Sequence, residues 1–175
     1  MKLISTSPLS AALLAALLAW AGPALAQSTT DIVISGKVNP GTCAVNVPPT
    51  VLDDIDANDI VAEDNADKAV TLQFTGCIGV RRALLTFSGT PETGDTNRWA
   101  NTASADPASG IAVSLREGAT GTQYLYQGLA ARQVPLSGAS GSYPMRAAYH
   151  RRTTTPGPLA AGNVAATITI NVAYE

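Results

Sequence analysis

The chain has 175 residues, of which 46% are hydrophobic and 5% aromatic, and its formal net charge is −2. This length suits one folded domain with a real core rather than two. The slightly acidic balance does not favour a function in nucleic-acid binding or attachment to an anionic membrane surface.

Residues 1–26 have the features of a secretory signal peptide. Lys2 supplies a positive charge, Leu9–Ala21 is apolar, and Ala24-Leu25-Ala26 is a small-x-small cleavage site. We expect cleavage after Ala26 and export of residues 27–175, which makes the net charge one unit more negative because Lys2 is lost. No later segment approaches the ~18 consecutive apolar residues of a spanning helix, so no membrane span is predicted.

Cys43 and Cys77 are the two cysteines of the chain. In an exported protein an even number of cysteines predicts a disulfide, and two buried free thiols are the alternative. Closing a loop of about 35 residues would stabilise the fold by roughly 4 kcal/mol.

Alternating and β-branched segments predict strands along the whole exported chain, separated by clusters of Gly, Pro, Asn, Asp and Thr such as Thr90–Asn97. No helix is predicted outside the signal peptide. Short strands at this spacing predict an all-β antiparallel sandwich. The predicted strands are Ile32–Val38, Ala44–Val47, Ala69–Gly76, Ala83–Phe87, Ile111–Arg116, Gln123–Tyr126, Tyr143–His150 and Val164–Tyr174.

The segment Asp53–Lys68 is rich in acidic residues. Its spacing Asp54-x-Asp56 begins like a calcium-binding loop, but such a loop needs Gly at the sixth position and Glu at the twelfth. This chain has Asp59 and Asn65 there. We therefore predict a solvated connection and no metal site.

The C-terminal segment Thr167–Tyr174 alternates as a half-buried strand does. Only Glu175 follows in the sequence, so we expect no returning strand to cover this segment from that side. An apolar strand at a sheet edge tends to pair with another chain. The residues that share its apolar face are Ile168, Ile170, Val172 and Tyr174.

Three parts of the sequence, taken together, resemble chaperone–usher pilins of the type 1 fimbrial family. The stretch Ile34–Val45, ISGKVNPGTCAV, is similar to the family's first strand and first cysteine, and Ala69–Cys77, AVTLQFTGC, is similar to its second strand and second cysteine. Met145–Tyr149, Ala161–Val164 and Ala173–Glu175 resemble the closing pair of strands, with tyrosine in the penultimate position.

The resemblance implies an incomplete immunoglobulin-like antiparallel sandwich that lacks its last strand and is completed by a donor strand from another chain. A periplasmic chaperone would lend a strand to the open groove. At the outer-membrane usher, the N-terminal extension of a neighbouring pilin subunit would replace it, which is β-strand addition. The implied domains are the signal peptide at 1–26, a donor extension at 27–35 and a pilin domain at 36–175.

The resemblance also implies roles for individual residues. Ile168, Ile170, Val172 and Tyr174 would form the strand that pairs with the chaperone and then with the donor. The Glu175 carboxylate would be held by basic residues of the chaperone, a charge-assisted contact that could set the register of the inserted strand. The donor residues would be Thr30, Ile32 and Ile34.

The donor extension is shorter than is usual in the family, and only Ile32 and Ile34 are strongly apolar anchors. Ile34 belongs either to the extension or to the first strand of its own domain. Gly36 lies at that transition and resembles the family glycine there. Both a major rod subunit and a minor adaptor therefore remain open.

An enzyme and a secreted binding module are the two other classes of function. An enzyme would need His150, the one histidine, beside a carboxylate and a nucleophile. We found no obvious partner and predict an exposed strand-end residue, no catalysis and no cofactor. A secreted carbohydrate- or receptor-binding module with a complete immunoglobulin-like fold is the alternative, with Trp99 either exposed for stacking or folded onto the core. The preferred prediction is a structural subunit of an adhesive surface fimbria, exported through the periplasm.

Overall fold

A computed structural model describes residues 32–39, 41–152 and 159–175. The predicted signal peptide and Thr30 lie outside the described residues. The chain divides into two units, Met1–Lys37 and Val38–Glu175. In the first unit, residues 32–37 form no regular secondary structure and are exposed. The strand predicted over Ile32–Val38 is therefore wrong: a strand needs a hydrogen-bonded neighbour, and no pairing involves these residues.

The second unit is built from antiparallel strands and one short 3-10 turn at Ala57–Asp59. Within the described residues, one sheet has seven strands in the order β1-β2-β9-β6-β5-β4, with β7 beside β6, and the other has three in the order β10-β3-β8. The strands are β1 (Ala44–Asn46), β2 (Asp64–Thr75), β3 (Arg82–Gly89), β4 (Pro91–Glu92), β5 (Asp95–Ala100), β6 (Ile111–Glu117), β7 (Gln123–Tyr124), β8 (Arg132–Pro135), β9 (Ser140–Arg151) and β10 (Ile168–Tyr174).

The core lies between the two sheets. Successive side chains of a strand point to opposite faces, so Leu72 and Phe74 of β2 bury one face of the larger sheet, and Leu85 and Phe87 of β3 bury the facing side of the smaller one. Each such side chain contributes roughly 1.5–3 kcal/mol when it is fully buried. This packing confirms the predicted all-β antiparallel sandwich.

The entry to β1 is joined covalently to the end of β2. A disulfide links Cys43 and Cys77, and β1 pairs with the last residues of β2 through Ala44 and Thr75. Both cysteines contact the hydrophobic core, and Cys77 is 6% exposed. The predicted disulfide is therefore formed, and it fixes the edge of the larger sheet.

Trp99 anchors a part of the larger sheet that the sequence pattern missed. It lies on β5, is 1% exposed, and its Nε1 donates a hydrogen bond to the Leu125 carbonyl at 3.0 Å. The segment predicted as a turn cluster, Thr90–Asn97, in fact contains β4 and the start of β5, joined through Gly94 at φ 84°. The interpretation that Trp99 folds onto the core is confirmed, and stacking on a bound sugar is wrong.

The predictions for His150 and for the end of the acidic segment were wrong. β2 already begins at Asp64, and His150 is 6% exposed rather than exposed at a strand end. Its Nδ1 lies 2.7 Å from Asp64 Oδ1, because Asp64 and His150 are directly paired across β2 and β9. The pairing of distant segments, which a pattern in one segment cannot reveal, buries both side chains.

Candidate strand-acceptor groove

β10 forms an edge of the three-stranded sheet. It pairs along one side with β3, in a register that runs from Ile168 opposite Gly89 to Tyr174 opposite Ala83. No described strand pairs with its other side. The N–H and C=O groups on that side are therefore available to a strand from elsewhere.

The apolar face of β10 turns toward an open groove between the two sheets. The groove has a volume of about 880 Å³. β10 contributes Ile168 and Ile170 to it, and the facing sheet contributes apolar side chains from three strands. These are Val70 of β2, Ile111, Val113 and Leu115 of β6, and Met145, Ala147 and Tyr149 of β9.

The structure separates the C-terminal site residues that the sequence singled out into two groups. All four apolar residues of β10 pack against the core, but only Ile168 and Ile170 also line the groove. The Tyr174 hydroxyl donates a hydrogen bond to the Cys43 carbonyl at 3.1 Å. This end of β10 is thus tied to the disulfide region.

Glu175 pairs with residues of its own chain. Its main-chain oxygen accepts hydrogen bonds from the backbone N–H groups of Arg81 and Arg82 at 2.7 and 3.1 Å. Its backbone N–H donates to the Arg82 carbonyl at 3.0 Å. Its side chain forms an ion pair with Arg82 at 2.5 Å, and both side chains are about half exposed. The expected contact with basic residues of a chaperone remains a prediction.

The residues predicted to act as a donor, Ile32 and Ile34, lie in the first unit and present apolar surface. Ile32, Val33 and Ile34 are 83%, 89% and 90% exposed. Ile32 and Ile34 would lie on one face if the segment became a strand, and Val33 on the other. Single exposed apolar residues are ordinary, whereas these three form one continuous exposed apolar stretch.

Two stretches line the groove although the sequence analysis assigned neither of them to it. One comprises residues 47–60, whose Leu52 and Ile55 are half-buried between exposed aspartates. The other comprises residues 159–166, which lead into β10. The apolar residues inside the acidic segment could have indicated the first stretch, because a fully solvated loop gains nothing from apolar side chains.

No group of three or more His, Cys, Asp or Glu residues in the described ranges is arranged to hold a metal ion. No helix in the same part of the chain is both long and apolar enough to cross a membrane.

Comparison with known proteins identifies the family. A model of the family described as "Fimbrial protein" matches residues 32–175. The chain belongs to this fimbrial protein family. A comparison with curated proteins found no match.

Solved structures of pilus proteins share the fold of this fimbrial protein. A chaperone–usher pilus subunit matches with a TM-score of 0.63 and 11% identity, covering 88% of this chain and 100% of the other. The P pilus rod subunit PapA matches with a TM-score of 0.58 and 14% identity, covering 77% of this chain and all of PapA. The predicted resemblance to chaperone–usher pilins and to their immunoglobulin-like fold is confirmed.

A longer relative shares the fold over part of its length. The CupB6 tip adhesin from Pseudomonas aeruginosa matches with a TM-score of 0.61 and 16% identity. The match covers 76% of this chain, but the chain spans only 38% of the adhesin. Membership of the fimbrial protein family makes this protein a pilus subunit and implies a fimbrium at the cell surface.

Proposed function

We propose that this fimbrial protein is a structural subunit of an adhesive surface fimbria that is assembled by donor-strand exchange. A periplasmic chaperone first occupies the groove beside β10, and at the outer-membrane usher the N-terminal extension of a neighbouring subunit replaces it. The observation that carries the proposal is the apolar edge of β10, which pairs with no described strand and lies beside an open groove of about 880 Å³.

The other sheet edges support the proposal by contrast. Proteins protect edge strands by shortening them or by placing proline and charge on them. β1 has three residues, β4 is the pair Pro91–Glu92, and β8 carries Arg132 and Pro135. β10 has seven residues, with neither proline nor charge among them. An unprotected edge of this length suits a strand that is meant to receive a partner.

The first unit supplies chemistry that suits the donor role. Residues 27–35 carry Ile32 and Ile34 two positions apart, which is the spacing that one face of a β-strand requires. Burying two isoleucine side chains contributes roughly 3–6 kcal/mol, and backbone hydrogen bonds to β10 add to it. The pilin domain that receives the donor begins at Gly36, and Thr30 completes the donor face.

The decisive experiment fills the groove from within one molecule. A copy of Gln27–Gly36 is appended after Glu175 through a flexible linker, which gives the copy a high effective concentration at the groove. We refer to this protein as the donor-appended chain. The matched control carries the same appended copy with aspartate in place of both of its isoleucines.

Thermal unfolding distinguishes the outcomes. A filled groove should raise the melting temperature of the donor-appended chain by roughly 10–20 °C over the control, as two buried anchors would in a domain of this size. Equal melting temperatures in the two proteins would contradict donor-strand completion by this extension.

A further inference from the structure

Residues 159–166 form one wall of the groove without belonging to a regular strand ladder. β10 begins only at Ile168, and the pairing with β3 ends there opposite Gly89. Before that point the chain leaves the smaller sheet and runs beside residues 101–109, which connect β5 and β6 of the larger sheet. The position of this wall must therefore be fixed by contacts other than those of β10.

Backbone hydrogen bonds attach the wall at three places. Ser109 and Ala160 exchange hydrogen bonds at 3.1 and 3.3 Å. Ala108 N–H donates to the Asn163 carbonyl at 2.9 Å, and Thr102 N–H donates to the Ala165 carbonyl at 2.8 Å. The wall is thus attached along its length to the β5–β6 connection.

One half-buried side chain joins both segments. The Asn101 amide nitrogen donates to the carbonyls of Ala108 and Asn163 at 3.0 and 2.9 Å. Its amide oxygen accepts from the N–H groups of Ala103 and Ala165 at 3.1 and 3.0 Å. An asparagine amide has two donors and two acceptor positions, so Asn101 uses its full capacity here.

A glycine allows the two segments to approach this closely. A Cβ atom on Gly162 would lie 2.4 Å from the Asp106 carbonyl oxygen and 2.6 Å from the Ala108 nitrogen. Both are backbone atoms, so no side-chain rotation could relieve the contact. Any residue other than glycine would push the wall away from the β5–β6 connection.

We infer that Asn101 and Gly162 form a clasp that holds the groove open in the shape a donor strand requires. The inference rests on the proposed function and names positioning residues for strand uptake. An empty groove flanked by Val164 and Ile168 would otherwise close on its own apolar surface, and an entering strand would have to reopen it. A wall that is already in place removes that ordering cost from the binding step.

The test measures how fast the groove takes up a donor. The probe is a fluorescently labelled peptide of residues 27–36, mixed with the full chain in a stopped-flow experiment. Every protein carries Ile32→Asp, so that the chain cannot supply its own donor. The variants are Asn101→Ala, Asn101→Asp and Gly162→Ala. The matched control is Asn97→Ala, which removes an exposed asparagine side chain from β5.

We expect Asn101→Ala to slow peptide association by about tenfold, the effect of losing one or two hydrogen bonds of ordinary strength. Gly162→Ala should slow it at least as much, because its Cβ atom would clash with backbone atoms and displace the wall. Asn101→Asp should slow association at least as much as Asn101→Ala, because its second carboxylate oxygen would face the carbonyls of Ala108 and Asn163 without a hydrogen to share. The control should associate at the parent rate. Equal rates in Asn101→Ala and Asn97→Ala would overturn the inference.

A second measurement separates a positioning role from a general structural one. Asn101→Ala is also placed in the donor-appended chain, whose groove is already filled. If the clasp is needed mainly when the groove is empty, Asn101→Ala should lower the melting temperature less in the donor-appended chain than in the chain without the appended donor. Equal falls in melting temperature would overturn the inference. Failure of the parent chain to take up the peptide at all would overturn the proposed function itself, and the clasp with it.

Discussion

Asp64 is the centre of a buried polar network on the outer side of the larger sheet. Its carboxylate accepts hydrogen bonds from His150 Nδ1 at 2.7 Å and from the Tyr124 hydroxyl at 3.0 Å, and Arg116 Nε lies 3.0 Å away. The Asp64 side chain is only 5% exposed. Burial raises its pKa, but these hydrogen bonds and the charge of Arg116 outweigh burial, so that the pKa falls below its ordinary value.

The lowered pKa of Asp64 has a defined consequence for stability. A carboxyl group whose pKa is lower in the folded state contributes stability above its unfolded pKa of about 3.9, and this contribution is lost as the pH falls through the folded value. We predict that Asp64→Asn lowers the free energy of unfolding at pH 7 by roughly 2–4 kcal/mol, because it leaves buried donors without their charged acceptor.

The measurement is urea unfolding of the donor-appended chain between pH 2 and 7. The difference between parent and Asp64→Asn should begin to shrink below about pH 4, where the unfolded parent starts to bind a proton at Asp64, and should shrink further as the pH falls through the lowered pKa of the folded carboxyl group. Asp59→Asn is the matched control, since Asp59 is exposed. A difference that stays constant across the whole pH range would show that Asp64 acts through packing rather than through its charge.

At the level of the strand, the two faces of β10 should differ sharply in their tolerance of charge. Ile170 is half-buried and lines the groove, whereas its neighbour Asn171 is exposed and donates a hydrogen bond to Ser88 Oγ at 3.2 Å. We predict that Ile170→Asp abolishes chaperone capture, because an unpaired charge would be buried under the inserted strand. Asn171→Asp should leave capture intact.

Periplasmic accumulation and co-purification with the chaperone measure this prediction. Ile170→Asp should be degraded or aggregate, while Asn171→Asp should accumulate as the parent does. Normal accumulation of both variants would count against β10 as the acceptor strand. Loss of both would show only that β10 tolerates no charge on either face.

The alternation of β10 could be predicted from sequence because every second residue meets the same apolar surroundings. β8 could not, since Val134 is its single deeply buried side chain and Pro135 suggests a strand end. β5 was not predicted because the residues before Trp99 are polar. Which face of this strand turns inward depends on its pairing with β6. His150 and Asp64 were missed for the same reason, because 86 residues separate them in sequence.

The groove, too, could be predicted from the sequence only in part, because one of its walls depends on contacts between distant segments. Its β10 wall follows from local alternation in the sequence. The wall formed by residues 159–166 depends instead on hydrogen bonds from Asn101, which is 62 residues from Asn163. Such contacts between irregular segments have no periodic signature, so the sequence predicts that a groove exists but not what holds it open.

At the scale of the whole molecule, one chain carries both elements of the proposed contact between subunits, the donor segment and the acceptor groove. The acceptor is the groove beside β10, and the donor is the exposed segment around Ile32. If the two act at separate steps, a change in the donor should leave the acceptor unaffected. We therefore predict that Ile32→Asp spares chaperone binding and blocks insertion of the chain into its neighbour. A charge replaces one of the two apolar anchors there and cannot be paired in an apolar groove.

Val33→Asp is the matched control, because Val33 is as exposed as Ile32 and would point away from the groove once the segment forms a strand. Co-purification with the chaperone reports the first step, and the ladder of polymers resistant to mild denaturant reports the second. Ile32→Asp should keep the chaperone complex and lose the ladder, whereas Val33→Asp should keep both. Equal losses at both steps for Ile32→Asp would place Ile32 in the core of its own domain. Equal amounts of polymer in Ile32→Asp and Val33→Asp would instead show that neighbouring subunits are joined without this face of the extension. The two variants differ only in the face of the strand on which the charge lies.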